Sequence, residues 1–337
     1  MRLNVFLNLI LIFQLLSPKA WGSNRCIDLF KDTKSSLFQP PQAPTPKSSQ
    51  QGFLNMENQR MYYRLDVPSG LVHKAKDEVF LLIHGLLAHS GYLDGVAEKL
   101  ITAGKTVLRV DLLGHGRSLL NSSQPAGTIH DQAKAISQIL YHLSISNLTI
   151  YGHSLGGGIA IQTVLTAPDY LNGRLKINRL IIDEPYIYPV DKWIVEQTGN
   201  NMMTAQAFNP FTYVDYFVGT AAGTDSVRGT FAKGFAGAIR QNPKYFALTD
   251  LSAEDQALGA VAVFPTEDLR PLAAQIEIPV TLIRGRFDAR VAPKSLMDAI
   301  PGFFSHPVKV KEVKSPVQHH QPFESPDSVA NIILDLD

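Results

Sequence analysis

Short apolar segments alternate with helix-like segments along most of this chain. The apolar segments are rich in β-branched residues and apolar on both faces, which is typical of strands buried from two sides. Their alternation with helices across short connections predicts the α/β class, a mostly parallel sheet flanked by helices. Strands are predicted at 60–67, 79–83, 106–110, 148–151, 180–182, 280–283 and 308–313, and helices at 89–103, 129–143, 155–167, 293–300 and 326–334.

Charge and cysteine content exclude two classes of protein. The chain has 31 Lys and Arg residues against 30 Asp and Glu residues, and no basic stripe stands out, so we expect no nucleic-acid partner. Cys26 is the single cysteine, which excludes an internal disulfide and a zinc site built on cysteines. Apolar burial therefore has to hold the core.

The N-terminal residues predict export. Arg2 precedes an apolar run over residues 5–16, and Ala20-Trp-Gly22 provides a small-x-small cleavage site, so residues 1–22 are interpreted as a signal peptide. A periplasmic or extracellular location follows from this interpretation. The less favoured alternative is a membrane anchor, but the apolar run is shorter than the roughly 20 residues that a spanning helix needs.

The rest of the chain is predicted to form an arm, a core and an insertion. Residues 23–58 include four prolines between 40 and 46 and are interpreted as a flexible arm or linker. Residues 59–183 and 276–337 carry the strand-helix alternation and are predicted to form the core. Residues 184–275 break the alternation and hold thirteen of the thirty aromatic residues. We expect this insertion to form a cap over the strand ends, where pockets form in open α/β sheets.

The strongest local motif is Gly152-His153-Ser154-Leu155-Gly156, a Gly-x-Ser-x-Gly sequence between an apolar strand and a helix. A nucleophile elbow requires this context, because its turn is so tight that only glycine fits on either side of the serine. A phosphate-binding turn is disfavoured, since this segment lacks Gly-x-Gly-x-x-Gly and a P-loop lysine. The motif therefore predicts Ser154 as a nucleophile.

A serine nucleophile needs a base, and the base needs an orienting acid. Both follow Ser154 in the chain, because Asp288 and His319 come after the last two predicted strands. Three groups on strand-end loops of one sheet predict a Ser154-His319-Asp288 triad. His320 is the alternative base, and Asp183 or Glu184, after the strand at 180–182, is the alternative acid.

Two backbone N–H groups are expected to bind the oxyanion of the reaction. Leu155 follows the nucleophile at the start of a helix and provides one of them. Leu86 provides the second, since it lies just after Gly85, where glycine lets the chain bend back over the sheet. His153 adjoins the nucleophile but points in a different direction at such a turn, so it is predicted to be a packing or pocket residue.

Several motifs together resemble those of the α/β-hydrolase fold superfamily of lipase-like and esterase-like serine hydrolases. The resemblance covers about residues 60–183 and 276–337. Gln318 departs from the pattern, because the family usually has glycine before its histidine. The motifs are the His84-Gly85 oxyanion loop, Asp111-Leu-Leu-Gly-His-Gly-Arg-Ser118, the Gly152–Gly157 elbow, the Gly285–Pro293 loop that carries Asp288, and His319 ahead of Glu324 and Pro326.

The resemblance implies roles for two further residues and for the insertion. Asp111 and His115 would shape a loop beside the pocket and stay outside the triad. Residues 184–275 would form a mostly helical lid.

Taken together, the sequence predicts an exported serine hydrolase that cleaves a carboxylic ester of a fairly apolar small molecule through an acyl-enzyme. This mechanism needs no metal or organic cofactor. The same triad also serves enzymes that act on amides, lactones or carbon–carbon bonds or form peracids, and the motifs do not separate these activities. A non-enzymatic ligand-binding protein on the same fold is the alternative of a different class. A peripheral contact with membrane lipid stays open, and no oligomeric state is predicted.

Overall fold

The computed structural model describes residues 47–56, 59–74, 76–119, 127–189, 193, 196, 225–248, 250–262, 267–285, 294–313 and 319–335. The signal peptide predicted at 1–22 lies outside these residues. So do Asp288 and the aromatic-rich stretch 197–224.

Eight strands of the described residues form one sheet. They are β1 (Lys47–Met56), β2 (Gln59–Pro68), β3 (Val79–Ile83), β4 (Thr106–Asp111), β5 (Asn147–His153), β6 (Lys176–Asp183), β7 (Val280–Gly285) and β8 (Val308–Val313). Their order in the sheet is β1-β2-β4-β3-β5-β6-β7-β8. Strands β1 and β2 are antiparallel to their neighbours, and the pairs from β4 to β8 are parallel. The predicted α/β fold class is confirmed.

Helices connect most of the strands. None of those in the described part of the chain combines the length and the apolar character that crossing a membrane requires. The α-helices are α1 (Asp94–Thr102), α2 (Ile129–His142), α3 (Leu155–Tyr170), α4 (Asp225–Gln241), α5 (Pro243–Phe246), α6 (Ala253–Ala262), α7 (Arg270–Ala273), α8 (Lys294–Ala299), α9 (Gln321–Glu324) and α10 (Pro326–Ile333), and 3₁₀ helices lie at Ser90–Leu93, Gly116–Leu119 and Ile300–Phe303.

Both faces of the sheet are buried at its central strands, as their continuously apolar sequences require. Along β3, Leu81 and Ile83 belong to one hydrophobic cluster, and Phe80 and Leu82 belong to a second cluster. The first cluster includes residues of α2 and α3, and the second includes residues of α1 and α10. Because helices cover the faces, the carboxyl ends of the parallel strands are the edge at which a site can form.

The prediction of a flexible arm at 23–58 needs a correction. Residues 47–56 form β1, which pairs with β2 in antiparallel register from Lys47 opposite Pro68 to Met56 opposite Gln59. The prolines that indicated the arm end at residue 46, and beyond them Leu54 and Met56 pack against the first hydrophobic cluster. Backbone pairing with β2 orders this polar strand, and hydropathy does not reveal such pairing.

The described part of the insertion, residues 184–275, contains the helices α4 to α7. Helices α4 and α6 pack together around Ala236 and Ala257, and Leu87 lies against this pair. Gly259 of α6 lies against the carbonyl group of Gly114, in the loop after β4. The insertion therefore contacts the loops that follow β3 and β4, at the carboxyl end of the sheet.

Candidate active site

Ser154 occupies a strained turn between β5 and α3. Its φ and ψ angles are 55° and −123°, a conformation that residues with a Cβ rarely adopt. Its carbonyl oxygen accepts hydrogen bonds from the N–H groups of Gly157 (2.8 Å) and Tyr186 (2.9 Å), and its own N–H donates to the carbonyl oxygen of Asp183 (2.9 Å). The side chain does not cap the helix. The turn is therefore fixed by its backbone, as a nucleophile elbow requires.

The elbow packs tightly at Gly156, and this packing predicts how a substitution there changes the free energy of unfolding. A Cβ there would lie 2.5 Å from the carbonyl oxygen of His84 and would overlap that of Ile83. Since both are backbone atoms of the sheet edge, we expect Gly156→Ala to lower the free energy of unfolding by at least about 2 kcal/mol.

The matched control is Gly234→Ala in α4, where a Cβ meets no atom within 4 Å. Better helix propensity is expected to raise its free energy of unfolding by up to about 1 kcal/mol. Urea unfolding measures both variants. A Gly156→Ala protein as stable as the unsubstituted one would contradict the close approach at the elbow.

The loop after β3 lies directly against the nucleophile. A Cβ on Gly85 would lie 3.0 Å from the Cβ of Ser154, so Leu86, the next residue, adjoins the elbow. Nε2 of His84 accepts the N–H of Leu112 (3.0 Å), and Nδ1 therefore donates to the carbonyl oxygen of Gly85 (2.7 Å). This imidazole ties the loop to the end of β4. The structure thus brings the loop that carries Leu86 to Ser154, while Leu155 begins the helix α3.

His84 and His115 are buried imidazoles whose ring centroids are 5.4 Å apart. Burial lowers the pKa of each to about 3, and the neighbouring His84 adds to the lowering for His115. In an unfolded chain the pKa of histidine is about 6.5, so between these two pH values the unfolded chain binds more protons. The stability that depends on neutral imidazoles is therefore complete above about pH 6.5 and is lost as the pH falls toward 3.

This linkage predicts how stability depends on pH. Between about pH 5.5 and about pH 4, each of the two histidines is expected to lower the free energy of unfolding by about 1.4 kcal/mol per pH unit. His115→Gln should remove one such contribution from the slope, because the carboxylates act alike in both proteins. Urea unfolding at several pH values measures the slope. An unchanged slope in His115→Gln would contradict the neutral burial of this ring.

Asp111 braces the loops around the site. Its buried carboxylate accepts the backbone N–H groups of Ser90 (2.6 Å) and Arg117 (2.8 Å). Ser118 donates its hydroxyl to the carbonyl oxygen of Asp111 (2.5 Å) and accepts the N–H of Tyr62 (2.8 Å). The Asp111–Ser118 motif therefore ties the loop after β4 to the 3₁₀ helix at 90–93 and to β2, which is the loop-shaping role that the resemblance implies.

His319 contacts His153, the residue that precedes the nucleophile. Nε2 of His153 lies 2.7 Å from the carbonyl oxygen of His319, and the two ring centroids are 4.7 Å apart. Because His153 immediately precedes Ser154, this contact joins the segment of His319 to the residue next to the nucleophile. On its other side, Nδ1 of His319 lies 3.0 Å from Oε2 of Glu184. Pairing of Nδ1 with a carboxylate assigns proton transfer to Nε2.

None of the hydrogen bonds found among the described residues joins the Ser154 hydroxyl to His319. Catalytic hydrogen bonds of this kind are often long without substrate and tighten when substrate binds.

His320, the alternative base, makes a different set of contacts. Its Nδ1 lies 3.0 Å from the hydroxyl of Tyr92, and its ring stacks on Tyr245 at 4.1 Å. Burial holds the pKa of Tyr92 well above its usual value, so its phenol stays neutral beside His320. Glu324 accepts hydrogen bonds from Tyr245 and from Lys244 (2.8 Å). His320 therefore belongs to a contact that fastens α5 to the C-terminal segment.

The carboxylates at the end of β6 have separate partners. Asp183 is the last residue of β6 and accepts the hydroxyl of Tyr151 (2.6 Å). Glu184 follows it and reaches His319. Asp288, which the sequence favours as the acid, lies outside the described residues. Among the candidate acids in the described ranges, Glu184 is the one that the structure brings to His319.

His153, Glu184 and His319 also form a group of potential metal ligands in the described part of the chain, with ligand atoms within 4.8 Å of one another. Two imidazoles and one carboxylate suit zinc or iron. Here Glu184 and His319 hydrogen-bond directly, and an ion would have to replace that bond. We therefore interpret the group as an acid-base pair with a neighbouring imidazole.

Sequence reasoning did not single out Tyr92, Gln321 or the role of Gly285. Tyr92 lies between two imidazoles, with ring centroids 5.6 Å from His153 and 6.0 Å from His320. The buried amide of Gln321 packs beside Gly285. No local motif marks Tyr92 or Gln321, while Gly285 was visible as the first residue of the acid-loop motif.

A strained serine between a central strand of this sheet and a helix, next to a glycine loop, is the elbow of the α/β-hydrolase class. A family model described as alpha/beta hydrolase fold matches residues 78–326. The chain belongs to this family.

Relatives and solved structures agree with this class. A probable serine hydrolase from Drosophila melanogaster is 26% identical over 81% of this chain and 86% of that protein. A pimeloyl-[acyl-carrier protein] methyl ester esterase from Nitrosomonas europaea is 24% identical over 73% of this chain and 89% of that protein. The match to uncharacterized mycobacterial relatives, at 38% identity, spans about a quarter (26%) of their length.

The crystal structure of a hydrolase from Pseudomonas aeruginosa has a TM-score of 0.60 and 22% identity, covering 85% of this chain and 97% of that one. At this identity the likeness shows the fold.

Proposed function

We propose that this hydrolase cleaves carboxylic esters of small, fairly apolar molecules, with Ser154 as nucleophile and His319 as base. The observation that supports the proposal is the pairing of His319, whose carbonyl oxygen contacts His153, the residue next to Ser154, and whose Nδ1 contacts a carboxylate. The ester as the bond cleaved is supported by the relative named as a methyl ester esterase.

In acylation, Oγ of Ser154 attacks the carbonyl carbon while Nε2 of His319 takes the hydroxyl proton. The carbonyl electron pair moves onto the oxygen, where the N–H groups of Leu86 and Leu155 bind it. When the C–O bond breaks, the imidazolium returns its proton to the departing alkoxide oxygen and the alcohol leaves. The carboxylate at Nδ1 stabilises the positive charge on His319 without taking the proton.

Deacylation repeats these steps with water. His319 takes a proton from the water as its oxygen attacks the acyl carbon, and the same two N–H groups bind the second oxyanion. Collapse of that intermediate breaks the bond to Oγ, which regains its proton from the imidazolium. The carboxylic acid leaves, and the enzyme returns to its starting state.

An apolar substrate is supported by the residues around the elbow. Leu86 packs against the first hydrophobic cluster, and Leu87 packs against the helices α4 and α6 of the insertion. Ligand sites lined by aliphatic side chains favour apolar groups over sugars. We therefore place the acyl group of the substrate between the elbow and the insertion.

The bond cleaved is tested with matched substrates that share one apolar acyl group: an aryl ester, an alkyl ester, a lactone and an anilide. We expect kcat/KM to be highest for the esters and to rise with acyl length as apolar surface is buried. If kcat/KM is higher for the lactone or the anilide, that substrate's bond replaces the ester bond in the proposal. Saturable binding of the esters with no turnover would overturn the proposal in favour of a ligand-binding protein.

Export is proposed on the leader-like residues 1–22 alone. Expression of the full chain in a Gram-negative host, followed by fractionation and N-terminal sequencing, tests it. A mature N-terminus at Ser23 in the periplasm or the medium supports export, and an intact Met1 on protein retained in the cytoplasm would contradict it.

A further inference from the structure

The geometry points to Glu184, at the end of β6, as the carboxylate that orients His319, in place of Asp288 in the loop after β7. This inference rests on the proposed function, because it assigns the partner of the proposed base. Glu184 acts through His319 and is therefore a positioning residue.

The contact between the two side chains is direct and shielded from solvent. Oε2 of Glu184 lies 3.0 Å from Nδ1 of His319, and the exposed fractions of the two side chains are 1% and 13%. A charge-assisted hydrogen bond in such surroundings is stronger and less screened than one on the surface. The pair therefore has the geometry that holds Nδ1–H toward a carboxylate and assigns proton transfer to Nε2.

The second oxygen of Glu184 is held by β7. The N–H of Gly285 donates to Oε1 at 2.7 Å. A Cβ on Gly285 would lie 2.6 Å from this oxygen and 2.7 Å from Nε2 of Gln321, so glycine is what lets the carboxylate reach the strand. Separate donors on each oxygen fix the plane of the carboxylate and thereby the orientation of the imidazole.

Backbone hydrogen bonds connect the segment Asp183-Glu184 to β7 and to Ser154. The φ angle of Glu184 is 44°, in the left-handed region that residues other than glycine rarely occupy. Its N–H donates to the carbonyl oxygen of Ile283 (3.0 Å), and the preceding carbonyl, of Asp183, accepts the N–H of Ser154 (2.9 Å). Strained backbone of this kind persists where the surrounding structure enforces it, often at active sites.

Asp183 shows that burial at this strand end does not by itself produce the contact. It is fully buried, it directly precedes Glu184, and its Oδ2 accepts the hydroxyl of Tyr151. The two neighbouring carboxylates therefore point to different partners. Asp183→Asn is accordingly the matched control for removing a buried negative charge from this end of β6.

The kinetic test measures kcat and KM of Glu184→Gln, Asp288→Asn and Asp183→Asn on one aryl ester substrate. Loss of the orienting carboxylate leaves the wrong tautomer of the base, and we expect Glu184→Gln to lower kcat by about 10³–10⁴-fold with little change in KM. The other two variants are expected to lose at least about 100-fold less. An equal or larger loss in Asp288→Asn or in Asp183→Asn would overturn the assignment.

Proton NMR provides a readout that a merely structural role would not move. A histidine Nδ1–H held by a carboxylate resonates far downfield of the amide protons. We expect this signal in the unsubstituted enzyme and in Asp288→Asn, and its loss in Glu184→Gln and in His319→Gln. Should Glu184→Gln fail to fold, Asp288→Asn decides alone, because loss of the signal in that variant would overturn the assignment.

The spectra are recorded without substrate, so the two proposals can fail separately. A downfield signal that depends on Glu184, in an enzyme whose Ser154 reacts with no fluorophosphonate, would overturn the proposed function and leave the pair intact. Labelling of Ser154 together with a signal that depends on Asp288 would overturn the pair and leave the proposed function intact.

Discussion

Replacing Ser154 by alanine is expected to lower kcat for ester hydrolysis by about 10⁴–10⁶-fold, because it removes the atom that forms the acyl-enzyme. The φ angle of 55° and the three backbone hydrogen bonds of Ser154 do not depend on its hydroxyl, so the variant should fold normally. Steady-state kinetics on purified Ser154→Ala, with unfolding monitored in parallel, measure the effect.

Gly234→Ala, at an exposed position of α4 where a Cβ meets no atom within 4 Å, is the control for handling and purity, and its kcat should equal that of the unsubstituted enzyme. Substrate binding is expected to survive in Ser154→Ala, since the oxyanion donors and the apolar surroundings stay in place. A Ser154→Ala enzyme that keeps most of its turnover would show that another group attacks the ester.

The second large effect separates two adjacent histidines. We expect His319→Gln to lower kcat by about 10⁴-fold or more, because it removes the base. His320→Gln should lower kcat by less than about tenfold, since this ring stacks on Tyr245 and hydrogen-bonds with the hydroxyl of Tyr92. His320→Gln is instead expected to lower the free energy of unfolding, to which an aromatic pair contributes about 0.5–1.5 kcal/mol.

Both variants are compared for kcat and for urea unfolding under the same conditions. The expected pattern is a catalytic defect with small loss of stability for His319→Gln, and the reverse for His320→Gln. The opposite pattern would transfer the role of base to His320. It would also overturn the proposal that Glu184 orients the catalytic base.

Local patterns in the sequence predicted the sheet well where strands are apolar on both faces. Strand β3 spans Val79–Ile83, as its continuous apolar run indicates. Strand β6 begins at Lys176, before the predicted 180–182. The apolar pattern missed its first residues because they are mostly polar and partly exposed. Strand β1 was missed for the same reason, since most of its residues are exposed and pairing with β2 orders them.

At the site, the sequence predicted features formed by residues that are neighbours in the chain. It left open the features that depend on contacts between residues far apart in the chain. The elbow at Ser154 follows from a strand, a helix and two glycines that are neighbours in the chain. The partner of His319 lies 135 residues away, and Glu184 and Asp288 each follow one of two adjacent parallel strands, β6 and β7, in the chain. Which carboxylate reaches the imidazole is decided by side-chain direction, and sequence spacing does not contain that information.

Covalent labelling tests the central claim, that Ser154 is an activated nucleophile. The enzyme is treated with a fluorophosphonate, and its intact mass and peptide masses are measured. The account predicts one phosphonyl group per chain, on the peptide that carries Ser154, with labelling lost in Ser154→Ala and slowed strongly in His319→Gln. An enzyme that hydrolyses esters yet carries no adduct, or one labelled equally in Ser154→Ala, would contradict it.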